Sequence, residues 1–382
     1  MRSVELEYYD KQEEYFDEVV NGGSATVTHN ANSRDLTLTV GTTTDGEFSS
    51  MCSYPVPYTP GNSQLIDMTG VLDLANIGTG TASVFLRSKV TGSVVEEVIE
   101  QSNWDEATTG IDWQYSHIFQ IDFQSLKTGS IRYTLNQDGE PVQVAQINND
   151  NEINTGYWQL PNLPAFYKIY NDSTYTYMEI GYGNDENAVG FRYKIAKNAT
   201  ATMKAICCTV KSEGGGALRE MGGIPKVIDN GITPVTVSTT LIPVISIRPK
   251  TTFNSLENLM LTIPKSIYLQ TDESIRFVII HDCSLTGASW VDVDTGQSCM
   301  EYDVTATAFT NGHEVYADYV YASSAGGKGS IQAGSGTGLG LLGKTVLWNR
   351  LGSETGILTI AAIRSDGTNA NVLAGFRLEE IR

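Results

Sequence analysis

The sequence is short of positive charge. Its 25 Lys and Arg stand against 44 Asp and Glu, a formal net charge of −19. A surface of that sign repels a phosphate backbone, and no Lys/Arg stripe with interleaved aromatics offsets it, so nucleic acid is excluded as the expected partner. Long apolar runs are also missing. Nothing approaches the roughly 20 consecutive apolar residues that span a bilayer, and the opening MRSVELEYYDKQEEYF lacks the apolar core of a secretory leader. The expectation is synthesis in a cytoplasm without membrane insertion. Cysteine is sparse and unpatterned. Cys52, Cys207, Cys208, Cys283 and Cys299 are odd in number and lack the paired spacing of a zinc site, which fits buried thiols in a reducing compartment.

Catalytic patterns are equally scarce. The four histidines, His29, His117, His281 and His313, have no partners at metal-ligand spacing. His281 is followed by Asp282 and Cys283, but residues that close on a strand diverge, so a Cys/His nucleophile pair is not expected there. His117 precedes a strand and fits a backbone acceptor. There is no Gly-x-Ser-x-Gly elbow. The Gly-rich AGGKGSIQAGSGTGLGLLG lacks the order of residues that cradles a phosphate and reads as a surface loop or inter-subunit contact. Carboxylates at Glu97, Glu100, Asp105, Glu106, Asp122, Asp292 and Asp294 offer material for the acid pair, about 5–9 Å apart, of a glycan-cleaving fold. Solvated surface is the plainer account of them. The turn Asp292-Val293-Asp294-Thr295-Gly296 has too few spaced ligands for an EF-hand. No catalytic residue, cofactor site or metal site is assigned.

What is present is β-structure. The 37 glycines supply turns, and β-branched runs such as LTLTV and VTVSTT suit strands. The clearest pattern lies in Ser102–Phe166. Phe119, Ile121 and Phe123 alternate with Gln120, Asp122 and Gln124, and Ile131, Tyr133 and Leu135 repeat the alternation. Asp138-Gly139 supplies a two-residue turn, and Val142 and Val144 begin a third strand. Such a meander needs a second layer over its apolar face. Trp104, Trp113 and Trp158 cluster around it, either as a sugar platform or as sandwich core, with core the simpler reading.

Length and punctuation divide the chain into two domains. The expected fold is all-β, with two β-sandwich, jelly-roll-like domains. Residues 1–22 read as an N-terminal arm or peripheral helix and 23–211 as the first sandwich. The Gly-rich 212–234 reads as a linker and 235–382 as the second sandwich.

Several segments together resemble one family. HNANSRDLTLTVGT, YPVPYTPGNSQLIDMTGVL, QSNWDEATTG, HIFQIDFQSLKTGSIRYTLNQDGEPV and LPNLPAFYKI, then MKAICCTVKSEGG, RPKTTFNSLENL, SLTGASWVDVDTG and EYDVTATAF, follow one another in an order similar to virion proteins of tailed phages. Large DNA viruses of eukaryotes carry similar proteins. Ser125 and Lys127 depart from the Trp and then Gly of that pattern. The stretch FLRSKVTGSVVEEVIEQSNW replaces a longer Gly/Phe-rich hairpin, and with it any contact that hairpin makes. The resemblance implies a non-enzymatic structural component of a bacteriophage virion: a head fibre, decoration, vertex or tail-associated protein beside other capsid or tail proteins. It implies a homo-oligomer, a homotrimer ahead of a homopentamer. The second reading is a carbohydrate-binding host-recognition module contacting a surface glycan through Trp104, Trp113 or Trp158, and the third a glycan-degrading enzyme.

Overall fold

The computed structural model describes residues 2–5, 16–22, 24–42, 48–53, 63–72, 80–90, 92–105, 111–124, 129–150, 152–153, 155–158, 163–212, 223–258, 260–322, 329–334, 347, 349–350, 354–365, 367 and 369–381. Apart from one 3-10 turn at Gln101–Asn103, every element among them is a β-strand. The chain divides into two compact units, Met1–Leu218 and Arg219–Arg382. All-β is therefore the observed class.

The N-terminal unit holds two large antiparallel sheets. The first runs, neighbour by neighbour, Glu140–Ile147, Ile131–Gln137, His117–Gln124, Ser63–Val71, Ala201–Ser212, Asp35–Val40 and Thr26–Asn30. The second runs Phe16–Asn21, Phe48–Ser53, Ala165–Asn171, Tyr175–Gly183, Ala188–Ala196, Thr81–Ser88 and Val95–Glu100. The expected meander forms one end of the first sheet. Ile131 lies opposite Phe123, Tyr133 opposite Ile121 and Leu135 opposite Phe119, and all six are buried. Asp138 (φ 53°) and Gly139 (φ 87°) both take the left-handed backbone that a tight two-residue hairpin turn requires. On the third strand a bulge opposite Tyr133 and Thr134 lets Val144 and Ala145, adjacent in sequence, both be buried.

One core joins the two sheets. It packs Leu38, Ile66, Phe119, Ile121, Phe123 and Met203 of the first against Val84, Ile169, Met178, Ile180 and Phe191 of the second. Buried phenols tie the layers by hydrogen bonds. Tyr133 donates across the core to Phe85 O at 2.7 Å. Tyr167 reaches the other way, its hydroxyl 3.0 Å from Thr69 O and 2.5 Å from Cys207 O, so the two carbonyls share one proton. Burial pushes both phenols far up, so they remain donors at any ordinary pH. Each such bond contributes about 0.5–1.5 kcal/mol net.

The expected N-terminal arm or helix is corrected. Arg2–Glu5 and Phe16–Asn21 are strands of the unit's own sheets, while 6–15 lie outside the described residues. The reason is an open edge. Of the long strand Ala201–Ser212, Asp35–Val40 pairs with Ala201–Ala205 alone, and Arg2–Glu5 pairs with Cys207–Val210 beyond it. Phe16–Asn21 likewise caps Phe48–Ser53. Main-chain pairing at an unfilled edge outweighs the weak helical pattern of Val4–Val20.

The C-terminal unit repeats the principle. One sheet runs Ile224–Asp229, Ala370–Ile381, Leu261–Thr271 and Gly329–Gly334, with Val235–Val237 also on Ala370–Ile381. The other runs Val291–Asp292, Met300–Asp303, Ile242–Pro249, Leu358–Arg364, Ile275–His281 and His313–Val320. Ile245, Ile247, Phe277, Ile279 and Ile360 of the second share a core with Ile267, Leu269, Val372 and Phe376 of the first. Part of the expected linker 212–234 is thus structural: Ile224–Asp229 pairs in register with Gly375–Glu380 and buries Ile228. In the Gly-rich stretch, Gly329–Gly334 is a strand paired with Ser266–Thr271, and its remainder lies outside the described residues.

Candidate functional site

Among the described residues, those singled out in the sequence do not assemble into a site; Glu106 lies outside them. Trp104, Trp113 and Trp158 belong to the N-terminal core. Trp104 meets Trp113 edge-on with centroids 6.4 Å apart, Trp113 stacks on Phe119 at 6.4 Å, and Trp158 meets Phe123 edge-on at 5.1 Å while its Nε1 donates to Arg87 O at 3.3 Å. None presents a ring face to solvent, so they are core aromatics and cannot be the glycan platform.

The other candidates disperse too. Asp122 pairs with Arg132 beside it on the neighbouring strand. In the acidic turn, Lys250 Nζ sits 2.8 Å from Asp292 and Lys226 Nζ 3.1 Å from Asp294, so ammonium groups stand where a calcium ion would need free oxygens. No group of His, Cys, Asp and Glu suited to a metal occurs among the described residues. His117 Nε2 lies 2.9 Å from Asp112 O, the backbone partner expected for it. His281 Nδ1 faces Asp282 at 3.0 Å, whereas the Cys283 thiol lies against Thr359 Oγ1 at 3.3 Å, pushed up by burial. A thiol so placed is not a nucleophile. Cys208, Cys283 and Cys299 are buried, Cys207 is half-buried, and none of these four is in a disulfide.

A different constellation stands on the second sheet of the N-terminal unit, on the face turned away from the core. Alternation along Tyr175–Gly183 sends Thr176, Met178, Ile180 and Tyr182 inward, and Tyr175, Tyr177 and Glu179 outward. Register then builds rows across strands. Lys168, Glu179, Arg192, Ser83 and Glu100 lie side by side, and Tyr170, Tyr177 and Lys194 form the next row.

Glu179, with no exposed surface, is the hub. Its Oε1 accepts from Arg192 Nε (2.8 Å) and Nη2 (2.6 Å), from Arg87 Nη2 (3.0 Å) and from the Tyr170 hydroxyl (3.0 Å). Glu96 closes the network from the edge strand, its Oε2 2.8 Å from Arg192 Nη1 and its Oε1 2.7 Å from Arg192 Nη2 and 3.1 Å from Arg87 Nε. Both guanidiniums lie over the buried Phe85 ring, at 5.1 and 4.6 Å from its centroid. Two carboxylates and two guanidiniums thus neutralise one another in a layer closed to water from below.

Burial acts against the charge on both carboxylates. The arginines outweigh it and hold Glu179 and Glu96 below the usual carboxylate range. Burial, with the Glu179 charge next, pushes the Tyr170 phenol far up. Neither carboxyl can keep a proton near neutrality, and a glycosidase needs one acid that does.

Beside the network lies a row of aromatic rings. Tyr170 and Tyr177 stack at 5.0 Å with planes 19° apart, and Tyr175 meets Tyr177 edge-on at 6.3 Å. Lys168, Arg192 and Lys194 place their cations over Tyr170, Tyr177 and Tyr175 at 5.0, 5.4 and 5.2 Å. Burial and the Asp172 carboxylate, which accepts from the phenol at 3.0 Å, push Tyr177 up to about 12. Tyr175 is 38% exposed and Tyr177 half-buried, with charged groups beside both rings. The only sequence signal for this face was the alternation in YTYMEIGYG and VGFRYKIA. Which outward residue meets which depends on register.

The fold and this face define an all-β sandwich protein with a polar and aromatic sheet surface. No family model matches the chain, and no curated protein does. Solved structures match at low similarity. A β-glucanase of Bacillus licheniformis is 9% identical, covering 54% of this chain and 96% of its own, with a TM-score of 0.20. The potassium-bound carbohydrate recognition domain of Emp46p is 12% identical over 54% and 93%, with a TM-score of 0.21. The acidic lectin of winged bean, complexed with methyl-α-D-galactose, is 10% identical over 55% and 98%, with a TM-score of 0.22. The expectation of a structural virion component, whether head fibre, decoration, vertex or tail protein, is corrected by these findings. The matched structures named here are a β-glucanase, a carbohydrate recognition domain and a lectin, and none is a virion protein. TM-scores of this size establish kinship with neither class and carry no residue over to this chain.

Proposed function

We propose that the chain binds carbohydrate without cleaving it, on the outer face of the second sheet of its N-terminal unit. The observation that carries this reading is the row Tyr170, Tyr177 and Tyr175 set against the Arg87–Glu179–Arg192–Glu96 network. A pyranose offers an apolar C–H face and a rim of hydroxyls. The tyrosine rings suit the first, and the half-exposed Glu96 and Lys194 suit the second. The buried ion network fixes the rings' neighbours before a ligand arrives, so little ordering is required on binding. With both carboxylates ionised, the bound sugar meets no protonated carboxyl there.

A glycan array of neutral and acidic oligosaccharides tests the reading. Tyr175→Ala and Tyr177→Ala are each expected to weaken binding about tenfold, the factor that corresponds to about 1.4 kcal/mol. Tyr177→Phe keeps the ring and is expected to bind nearly as well. Unchanged binding in both alanine variants sinks the proposal, as does an array on which the intact chain binds nothing. Release of shorter sugars from any bound oligosaccharide contradicts the non-enzymatic part.

A further inference from the structure

A second pair of rings, on the other unit, has the same chemistry and more exposure. Tyr319 and Tyr321 close the edge strand His313–Val320. Their planes are 14° apart and their centroids 6.1 Å apart, and they are 49% and 73% exposed. Register shows which way this pair faces. Val320 lies opposite Ile275 and is buried in the main core of the unit, so Tyr319, opposite Arg276, is on the sheet's other face. On that face Val278 and Ile280 belong to a separate small cluster with Leu285 and Phe309. Arg276 extends along it, its Nη2 2.9 Å from Glu314 Oε2, and both side chains are part-exposed.

We propose that Tyr319 and Tyr321, with Arg276 opposite Tyr319 and its partner Glu314 further along the same face, form a second saccharide-contact site, independent of the face on the N-terminal unit. Two exposed, stacked rings leave apolar ring surface open to contact with a sugar's C–H face. The neighbouring ion pair has no net charge and offers donors on Arg276 and acceptors on Glu314, the complement of uncharged hydroxyls. The alternatives fit less well. A protein interface centres on a broad apolar patch with a polar rim, whereas the same face of this strand carries the exposed Ala317 and Glu314. A nucleic acid would stack on them but meets a chain of net charge −19. The ligand class is therefore a neutral oligosaccharide. Two sites on one chain raise avidity for a polymer wherever one strand of it reaches both.

Saturation-transfer NMR on the full chain, with cellohexaose, laminarihexaose, xylohexaose and mannohexaose as probes, separates this site from the first. In a chain carrying Tyr175→Ala and Tyr177→Ala, transfer to at least one hexasaccharide is expected to persist, and adding Tyr319→Ala and Tyr321→Ala is expected to abolish it. Both C-terminal tyrosines are exposed, so an unchanged thermal midpoint in the Tyr319→Ala/Tyr321→Ala chain confirms that folding is intact. Loss of all transfer in the Tyr175→Ala/Tyr177→Ala chain overturns the second site and leaves the first standing. Transfer that survives all four replacements, or none in the intact chain, overturns it as well.

Discussion

Glu179→Ala is expected to destabilise the N-terminal unit by about 3–5 kcal/mol, the usual cost of removing one partner from a buried ion pair. The size follows from what is left behind. Arg87 and Arg192 lie over Phe85 almost out of reach of water, and without Glu179 only Glu96, from the edge strand, remains to balance two guanidiniums. Glu179→Gln keeps the shape but not the charge and is expected to fall between wild type and alanine. Replacing Arg87, Glu179 and Arg192 together by Met, Leu and Met removes the buried charges, leaves only that of the part-exposed Glu96, and should recover most of the loss. Urea unfolding measures all three, and a loss below about 1 kcal/mol for Glu179→Ala would falsify the hub role, because an exposed pair costs no more than that.

The same network predicts an acid limit. Glu179 and Glu96 are held below their unfolded-state value of about 4.3. A carboxylate whose folded pKa is depressed stabilises fully above its unfolded pKa, and that stabilisation fades as pH falls through the folded pKa. The unfolding midpoint should therefore show no loss from these groups between pH 7 and pH 5 and should drop below about pH 4. In the Met/Leu/Met triple variant the drop should be shallower.

Trp158→Ala is the second large effect, about 3–5 kcal/mol, the range for deleting a buried aromatic side chain. Trp158 is 2% exposed and packs on Phe123, Tyr157 and Tyr182, so its removal opens a cavity under the meander and frees the Arg87 carbonyl. As long as the variant stays folded, oligosaccharide binding should be unchanged. A stable Trp158→Ala chain that has lost binding would restore the tryptophan to the glycan site and contradict its place in the core.

The alternation of Phe119, Ile121 and Phe123 with Gln120 and Asp122 was enough to locate the meander, and Asp138-Gly139 was enough to locate its turn, because a period of two and a left-handed turn are local properties. The placement of Arg2–Glu5 and Ile224–Asp229 was not legible, since each strand forms by filling an edge left open by a segment about 200 or 150 residues away in sequence. The candidate face was hidden for the same reason. Arg87 and Glu179 are 92 residues apart, and Tyr170 meets Tyr177 only because two strands pair in one register. Sequence showed that Trp104, Trp113 and Trp158 had to be either platform or core. Burial decided between the two.

Hydrogen–deuterium exchange of the intact chain with and without a bound oligosaccharide tests the central claim most directly, because it reports where the ligand sits without altering a residue. The expected result is slowed exchange along Ala165–Asn171, Tyr175–Gly183 and Ala188–Ala196, whose outward side chains form the tyrosine row and its charged neighbours. Protection confined to the meander of His117–Ile147, or to the C-terminal unit alone, would contradict it.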